Sequence, residues 1–390
     1  MNKPDGRDLP FMKIILFANT EWYLFNFRLS LAKALQAQGH EVLLISPPGE
    51  YGARLQAQGL RWEALPMDRR SLNPLQELRL LAYLWRLYRR EQPALVHHFT
   101  IKCVVYGSIA ALLARVPARV NAVAGMGYVF TSNDAKARVL RPAVRALLRW
   151  ALGGRGARLI LQNPDDASQF LRARLVSEES MHLIPSSGVD CTRFNTHSAN
   201  RPGADQPLRV VLAARLLRHK GLFEFVEASR LLQQRGRNVV FLLAGTPDDG
   251  NPDSVSEGTV RGWVEAGLVQ WLGHVDDMVP LLQGCNVMAL PSYYGEGLPR
   301  SLIEASASGL ALITTDIPGC RQAIDDGVTG LMIPPRNSEA LADAIERLDE
   351  DRGLTERLGI AARAKSMAEF DERIVIANTL AVYRELLGNV

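Results

Sequence analysis

Four side chains in the second half of the chain have the types and spacing to handle charge together: Arg215, Lys220, Glu296 and Glu304. The two glutamates stand in residues 291–309, which read as a buried strand's end, a glycine-flanked loop and a helix. Gly295 and Gly297 leave the loop backbone bare, so its N–H groups and the helix N-terminus can face an anion such as a phosphate. Pro299 suits the first helical turn, where no N–H is needed, and Gly309 suits the left-handed position past the end. A helix over 299–308 is predicted. Glu304 then lies roughly 7 to 8 Å along the helix axis from its start, at about 1.5 Å per residue. Two acceptor carboxylates so separated can hold hydroxyls at both ends of a sugar nucleotide. By themselves they are weak evidence, because charged residues at such spacings are common on solvated helix faces.

The cations give them partners. Arg215 follows the apolar run 208–214, and Lys220-Gly221 comes five residues later at a loop-to-helix junction. Arginine offers a planar fork and lysine a point charge, and together they suit a diphosphate leaving group.

These residues need a scaffold, and the chain supplies one unit many times over. A short β-rich apolar run followed by a longer helical pattern recurs from Met12 onward, the signature of a parallel sheet covered on both faces. Strands are predicted at 12–19, 40–47, 61–67, 94–99, 119–124, 158–162 and 181–185. After a polar stretch at 196–207 holding Pro202, Gly203 and Pro207, they resume at 208–214, 239–244, 269–272, 287–290, 311–315 and 330–333. Helices fill the gaps, among them 24–38, 75–91 and 134–152. The predicted fold class is α/β, two doubly wound Rossmann-like domains over 12–195 and 207–370 facing a central cleft, with a last helix near 371–390 packing back on the first domain. Ligands in such sheets collect at the carboxyl ends of the strands.

Composition narrows the function classes. At 390 residues with 47% hydrophobic and 22% charged side chains, the chain is long enough for two cores and ordinary for a globular protein. No apolar run approaches the length of a membrane span. Residues 1–11 are polar and lack the apolar core of a signal peptide, so a cytoplasmic location is expected. Four scattered cysteines, Cys103, Cys191, Cys285 and Cys320, show no metal-binding or disulfide spacing. Net charge is +11 over residues 1–195 and −7 over 196–390, so the front half prefers an anionic partner. Nucleic acid is disfavoured because the basic residues lack a reader motif. Gly125 and Gly127 do not complete a dinucleotide fingerprint, since Phe130 holds the last position.

The segments Ala214-Arg215, Lys220-Gly221, Gly245, Gly273-His274, Pro291-Ser292, Glu296-Gly297-Leu298-Pro299 and Glu304-Ala305 resemble the retaining GT-B glycosyltransferases of family 4. In the first half, Asn26-Phe27-Arg28, Phe99-Thr100-Ile101-Lys102, Tyr106-Gly107, Gly125 through Thr131, Gln162 through Asp166 and Ser187 through Asp190 resemble the bacterial branch that extends polyprenyl diphosphate-linked sugars. The resemblance implies transfer of a sugar, an N-acetylhexosamine or relative, from a UDP-sugar to a lipid diphosphate-linked sugar in surface polysaccharide assembly. Arg215 and Lys220 would neutralise the donor diphosphate and Glu296 would contact the transferred sugar. Glu304 would hold the ribose, with Gly245 and the N–H groups of Gly297 and Leu298 helping to bind the donor. No metal or other cofactor is implied. The chain departs from the family at Gly295, where a basic residue is common, and at His97-His98-Phe99, where many members have His-x-His.

Acceptor contacts are expected from Asn19, Asn26, His98, Lys102 and Gly127. The stretch 17–27 reads as a loop. Strand alternation sets His97 and Phe99 on one face and His98 on the other. Helices 75–91 and 136–150 mix basic and apolar residues and suit peripheral contact with the inner face of the cytoplasmic membrane. Two other classes fit the residues: a UDP-sugar epimerase, which would convert donor alone, and a two-domain sugar-nucleotide-binding protein without turnover.

Overall fold

The structure is a computed structural model, and it describes residues 11–68, 71, 73–123, 135–195, 201–248, 250–294 and 297–388, with the side chains of 135–141 and 143 outside the description. Two compact units divide the chain. One comprises Met1–Ser187 and Val375–Val390, the other Gly188–Ile374.

In the first unit the apolar runs pair as seven parallel strands: β1 (Lys13–Phe17), β2 (Glu41–Ser46), β3 (Arg61–Ala64), β4 (Leu95–Phe99), β5 (Ala118–Val123), β6 (Ala157–Leu161) and β7 (Met181–Leu183). Their order is β3-β2-β1-β4-β5-β6-β7. The second unit repeats the plan with β8 (Leu208–Ala213), β9 (Val239–Ala244), β10 (Gln270–Gly273), β11 (Val287–Leu290), β12 (Ala311–Thr315) and β13 (Gly330–Ile333), in the order β10-β9-β8-β11-β12-β13. Every strand predicted from the apolar runs is present. Central strands such as β4, β5, β11 and β12 are buried at every position, because crossover helices cover both faces of a parallel sheet.

The strand order reverses between β1 and β4 in the first sheet and between β8 and β11 in the second. At such switch points the loops after adjacent strands run to opposite faces and leave a crevice at the carboxyl ends. The loops after β1, β8 and β11 hold Asn19, Arg215, Lys220, Gly297 and Leu298, and the helices that follow β1, β4 and β11 carry Asn26, Lys102 and Glu304.

Three local predictions need correction. The predicted loop 17–27 ends at Thr20, whose hydroxyl accepts the Tyr23 amide and caps a helix Glu21–Phe27. The single helix predicted at 24–38 is two, Glu21–Phe27 and Leu29–Ala37, broken at Arg28 with φ −131° and ψ 0°. Arg28 is 6% exposed and leaves the helix register with its side chain buried. The units divide at residue 188 rather than within 196–207. Val189 bridges to Asp371, and Cys191 and Phe194 join the second unit's apolar cluster, so this stretch already belongs to that unit.

The last helix, Glu372–Leu387, contributes Val375, Leu380, Val382, Tyr383 and Leu386 to the core of the first unit. Its Glu385 receives the Arg158 guanidinium at 2.7 Å, and the Tyr383 hydroxyl lies 2.7 Å from His97 Nδ1.

Candidate active site

The second unit brings the loop after β8 against the loop after β11. Gly221 makes this possible: its φ is +79°, and a β-carbon there would stand 2.2 Å from the Pro291 carbonyl oxygen. Only glycine tolerates both conditions cheaply. The loops are then stapled, with the Tyr293 amide and the Ser292 hydroxyl each donating to the His219 carbonyl at 3.0 Å. Lys220 sits inside this staple, next to Gly221.

Arg215 is exposed, and its guanidinium donates to Asp248 at 2.6 Å. Asp248 is the more buried partner and therefore holds the arginine at the end of the sheet. Gly245 has φ +137°, and a β-carbon would come within 1.9 Å of the Ala214 oxygen. Its amide donates to Gly273 at 2.7 Å and its carbonyl accepts from the Trp271 indole at 2.8 Å. Gly245 thus acts by letting two strand ends meet, since its backbone groups already have partners.

The helix of the central stretch runs Arg300–Ala307, with Pro299 as its N-cap and Gly309 at φ +73° past its end. Glu304 is half-buried and accepts from Arg300 Nε at 2.7 Å, one turn earlier. A carboxylate has about four acceptor sites, so this bond orients the group and leaves capacity for a ribose hydroxyl. Leu298 packs its side chain into the unit's apolar cluster and Gly297 is half-buried beside it. Glu296 and Gly295 lie outside the described residues, as does Gly127 in the first unit.

In the first unit the residues expected to meet the acceptor scatter. Asn19 is half-buried just beyond β1. Asn26 donates its carboxamide to the Trp22 carbonyl at 3.0 Å, within its own helix. Lys102 spends its three ammonium protons on the Asp68 and Ser71 carbonyls and the Glu77 carboxylate, at 2.7, 3.0 and 2.7 Å. Here it is a clamp between two helices and the loop before one of them. His98, also expected to meet the acceptor, has no access to the surface. It is fully buried beneath the helix Ile101–Ala114, with Nδ1 2.9 Å from Asn121 Oδ1 and Nε2 3.2 Å from the Tyr88 hydroxyl. Gly107 leaves room for its ring, and burial pulls its pKa down to about 3.

The neighbouring histidine faces the crevice instead. His97 lines a cavity of about 230 Å³ at the carboxyl ends of the sheet, with Tyr23, Arg28, Thr100, Gln162 and Ser186. Its pKa is held well below the usual value by burial, the Arg28 charge and His98. The Arg28 guanidinium donates to the Tyr23 hydroxyl at 2.9 Å and lies over the Phe99 ring at 4.3 Å. Arg28 and His97 were quoted in the sequence motifs without a role. Asp248, a tertiary partner in a polar loop, left no signal at all, whereas Arg300 was readable as an i,i+4 partner of Glu304.

Residues 194–365 match the family model "Glycosyl transferases group 1" and residues 13–163 match "Glycosyl transferase 4-like". Campylobacter jejuni N,N'-diacetylbacillosaminyl-diphospho-undecaprenol alpha-1,3-N-acetylgalactosaminyltransferase is 30% identical over 389 residues, covering 97% of this chain and all of that protein. An Escherichia coli UDP-Gal:alpha-D-GlcNAc-diphosphoundecaprenol alpha-1,3-galactosyltransferase is 24% identical over 298 residues, 73% of this chain and 74% of that protein. Among solved structures, a glycosyltransferase from Rickettsia africae superposes with a TM-score of 0.79 over 98% of this chain and 100% of its own, at 19% identity. The fold is GT-B. The chain belongs to the family 4-like, group 1 glycosyltransferases.

Proposed function

We propose that this glycosyltransferase moves a sugar, an N-acetylhexosamine or a relative, from a UDP-sugar to a polyprenyl diphosphate-linked sugar, with retention of anomeric configuration and without a metal. The end-to-end likeness to the Campylobacter jejuni transferase supports the reading most, because that protein's name specifies a diphospho-undecaprenol acceptor. The Escherichia coli relative's name adds a UDP-sugar donor.

In this mechanism Arg215, set by Asp248, and Lys220 neutralise the charge that develops on the departing UDP diphosphate. Fixed cations and backbone dipoles need no reorganisation as the bond breaks, so they contribute most of the rate. Glu304, oriented by Arg300, accepts the ribose hydroxyls, and Glu296 contacts the transferred sugar. The acceptor hydroxyl attacks from the face the diphosphate leaves, and the diphosphate oxygen takes its proton. Positive charge on protein side chains serves in place of a metal in this scheme.

A lipid-linked acceptor calls for a membrane-facing surface. The helix Pro74–Glu91 presents Leu75 and Leu78, 68% and 62% exposed, in one stripe with Trp85, Arg79, Arg86 and Arg89. In the helix Ala135–Leu152, Leu147 and Trp150 are exposed beside Arg145 and Arg149. Among the described residues no helix is long and apolar enough to cross a membrane. Peripheral contact at the cytoplasmic face is the corresponding proposal.

The stereochemical test is the anomeric coupling of the product by proton NMR, run with and without a chelator. An axial product from an axial donor at undiminished rate is expected. Inversion, or loss of activity that added divalent metal restores, would overturn the respective part.

A further inference from the structure

The cavity in the first unit holds more unsatisfied polar atoms than a structural void should. Arg28 Nε, His97 Nε2 and Thr100 Oγ1 are all buried without a hydrogen-bond partner, Thr100 having only the weakly polar Cys103 thiol beside it. Buried polar groups are satisfied in the great majority of cases, and leaving one orphaned costs about 1–3 kcal/mol. Three in one cavity mark a place where a ligand completes the set.

The chemistry of the three atoms selects the ligand. Arginine Nε–H can only donate. His97 is neutral, and in the tautomer where the Tyr383 hydroxyl donates to Nδ1 at 2.7 Å the remaining proton sits on Nε2. The Thr100 hydroxyl rotates to donate. Hydroxyl groups of a sugar would need acceptors as well as donors, whereas an oxyanion takes donors alone. Charge points the same way. Among the described residues no carboxylate lies within ion-pair distance of the Arg28 guanidinium, although the residue is 6% exposed. A buried cation without a counter-charge is costly, and an anion relieves it.

Backbone geometry gives an independent indication. Thr100 has φ +73° and ψ 151°, a region almost reserved for glycine, and Ser186 has φ +61°. Both line the cavity. Thr100 also precedes the 14-residue helix Ile101–Ala114 as its N-cap and makes no side-chain capping bond, so the positive end of that helix meets the cavity without an acceptor from its cap. The volume of about 230 Å³ is below that of pockets for drug-sized ligands, about 300–1,000 Å³, and suits one phosphate group rather than a whole sugar nucleotide.

We propose that the Arg28 pocket is a phosphate subsite that receives a phosphate group of the acceptor through Arg28 Nε, His97 Nε2 and the Thr100 hydroxyl. The choice of the acceptor as the source rests on the polyprenyl diphosphate reading above. The break of the first helix pair at Arg28 is then the local deformation that carries the guanidinium into the pocket.

Two measurements on the full chain test it. Histidine side-chain NMR of the wild-type protein, titrated with inorganic phosphate, should show a saturable shift of the His97 Nε2 signal, while N-acetylglucosamine at equal concentration leaves it in place. No shift with phosphate, or an equal shift with the neutral sugar, would overturn the proposal. A shift produced by UDP at its own binding concentration would assign the phosphate to the donor and overturn the acceptor assignment. In kinetics, Arg28→Gln should raise KM for a short-chain prenyl diphosphate-sugar at least tenfold and leave KM for the UDP-sugar within twofold, with Arg28→Lys recovering part of the loss. Equal changes in both KM values would contradict it. If the wild-type protein transfers no sugar, the proposed function fails, and the phosphate titration still decides the subsite.

Discussion

Two proposed site residues are oriented by a charged partner, and the sequence displayed only one of the two partners. Arg215 and Glu304 were legible as types, a cation after a strand and a carboxylate on a helix, yet Asp248 and Arg300 decide where their charges point. Arg215→Ala is expected to lower kcat by about 10²–10³, the range for losing one prearranged stabiliser of the transition state. Steady-state transfer kinetics would show it, and an unchanged kcat would remove Arg215 from the mechanism. Glu304→Ala is expected to weaken UDP binding by about 1.5–3 kcal/mol, as for lost hydrogen bonds to a charged group, and calorimetry would measure it. The histidines show where sequence reading stops. Alternation correctly separated His97 from His98, but in a strand buried on both faces nothing in the pattern tells which face meets the crevice. Both side chains are buried neutral, so the unfolded chain binds protons that the folded one refuses. Stability is therefore expected to be full above the unfolded value near 6.5 and to fall as pH drops toward the folded value of about 3 for His98. The slope approaches about 1.4 kcal/mol per pH unit for each histidine. Denaturant melts at pH 7.5 and 5 measure this, and His98→Gln should flatten the difference.

At the scale of elements, the strands were readable because a parallel sheet demands continuous apolar runs, and thirteen of them stand between polar turns. The helix Glu21–Phe27 was missed because its sequence, Glu-Trp-Tyr-Leu-Phe-Asn-Phe, is mostly aromatic and has modest helix propensity; the Thr20 cap and the packing of Tyr23 on Phe99 override that. The break at Arg28 has no local signal, since nothing at that position disfavours a helix except the burial of its own side chain. The joint between Gly221 and Pro291 is the element-scale feature on which the proposed donor site depends. Gly221→Ala adds a β-carbon against a carbonyl oxygen at a left-handed position, and should cost about 1–3 kcal/mol in stability and reduce transfer disproportionately. Thermal melting compared with kcat separates the two effects, and a fully stable, fully active variant would show that the loops need no such contact.

For the whole molecule, two doubly wound units with opposite net charge, +11 in the front half and −7 in the back, suit a division of labour between a lipid-linked anionic acceptor and a nucleotide donor. The exposed stripe of Leu75, Leu78 and Trp85 among arginines makes the membrane part of that account testable. Co-sedimentation with anionic vesicles should exceed that with neutral ones, and Leu78→Glu with Trp85→Glu should reduce it several-fold. The central claim is the transfer itself. Radiolabelled UDP-sugars incubated with a polyprenyl diphosphate-sugar and the protein should yield a longer lipid-linked product with one of the UDP-N-acetylhexosamines or their relatives. Failure to label the lipid with any UDP-sugar, or conversion of the UDP-sugar alone to its epimer, would contradict it.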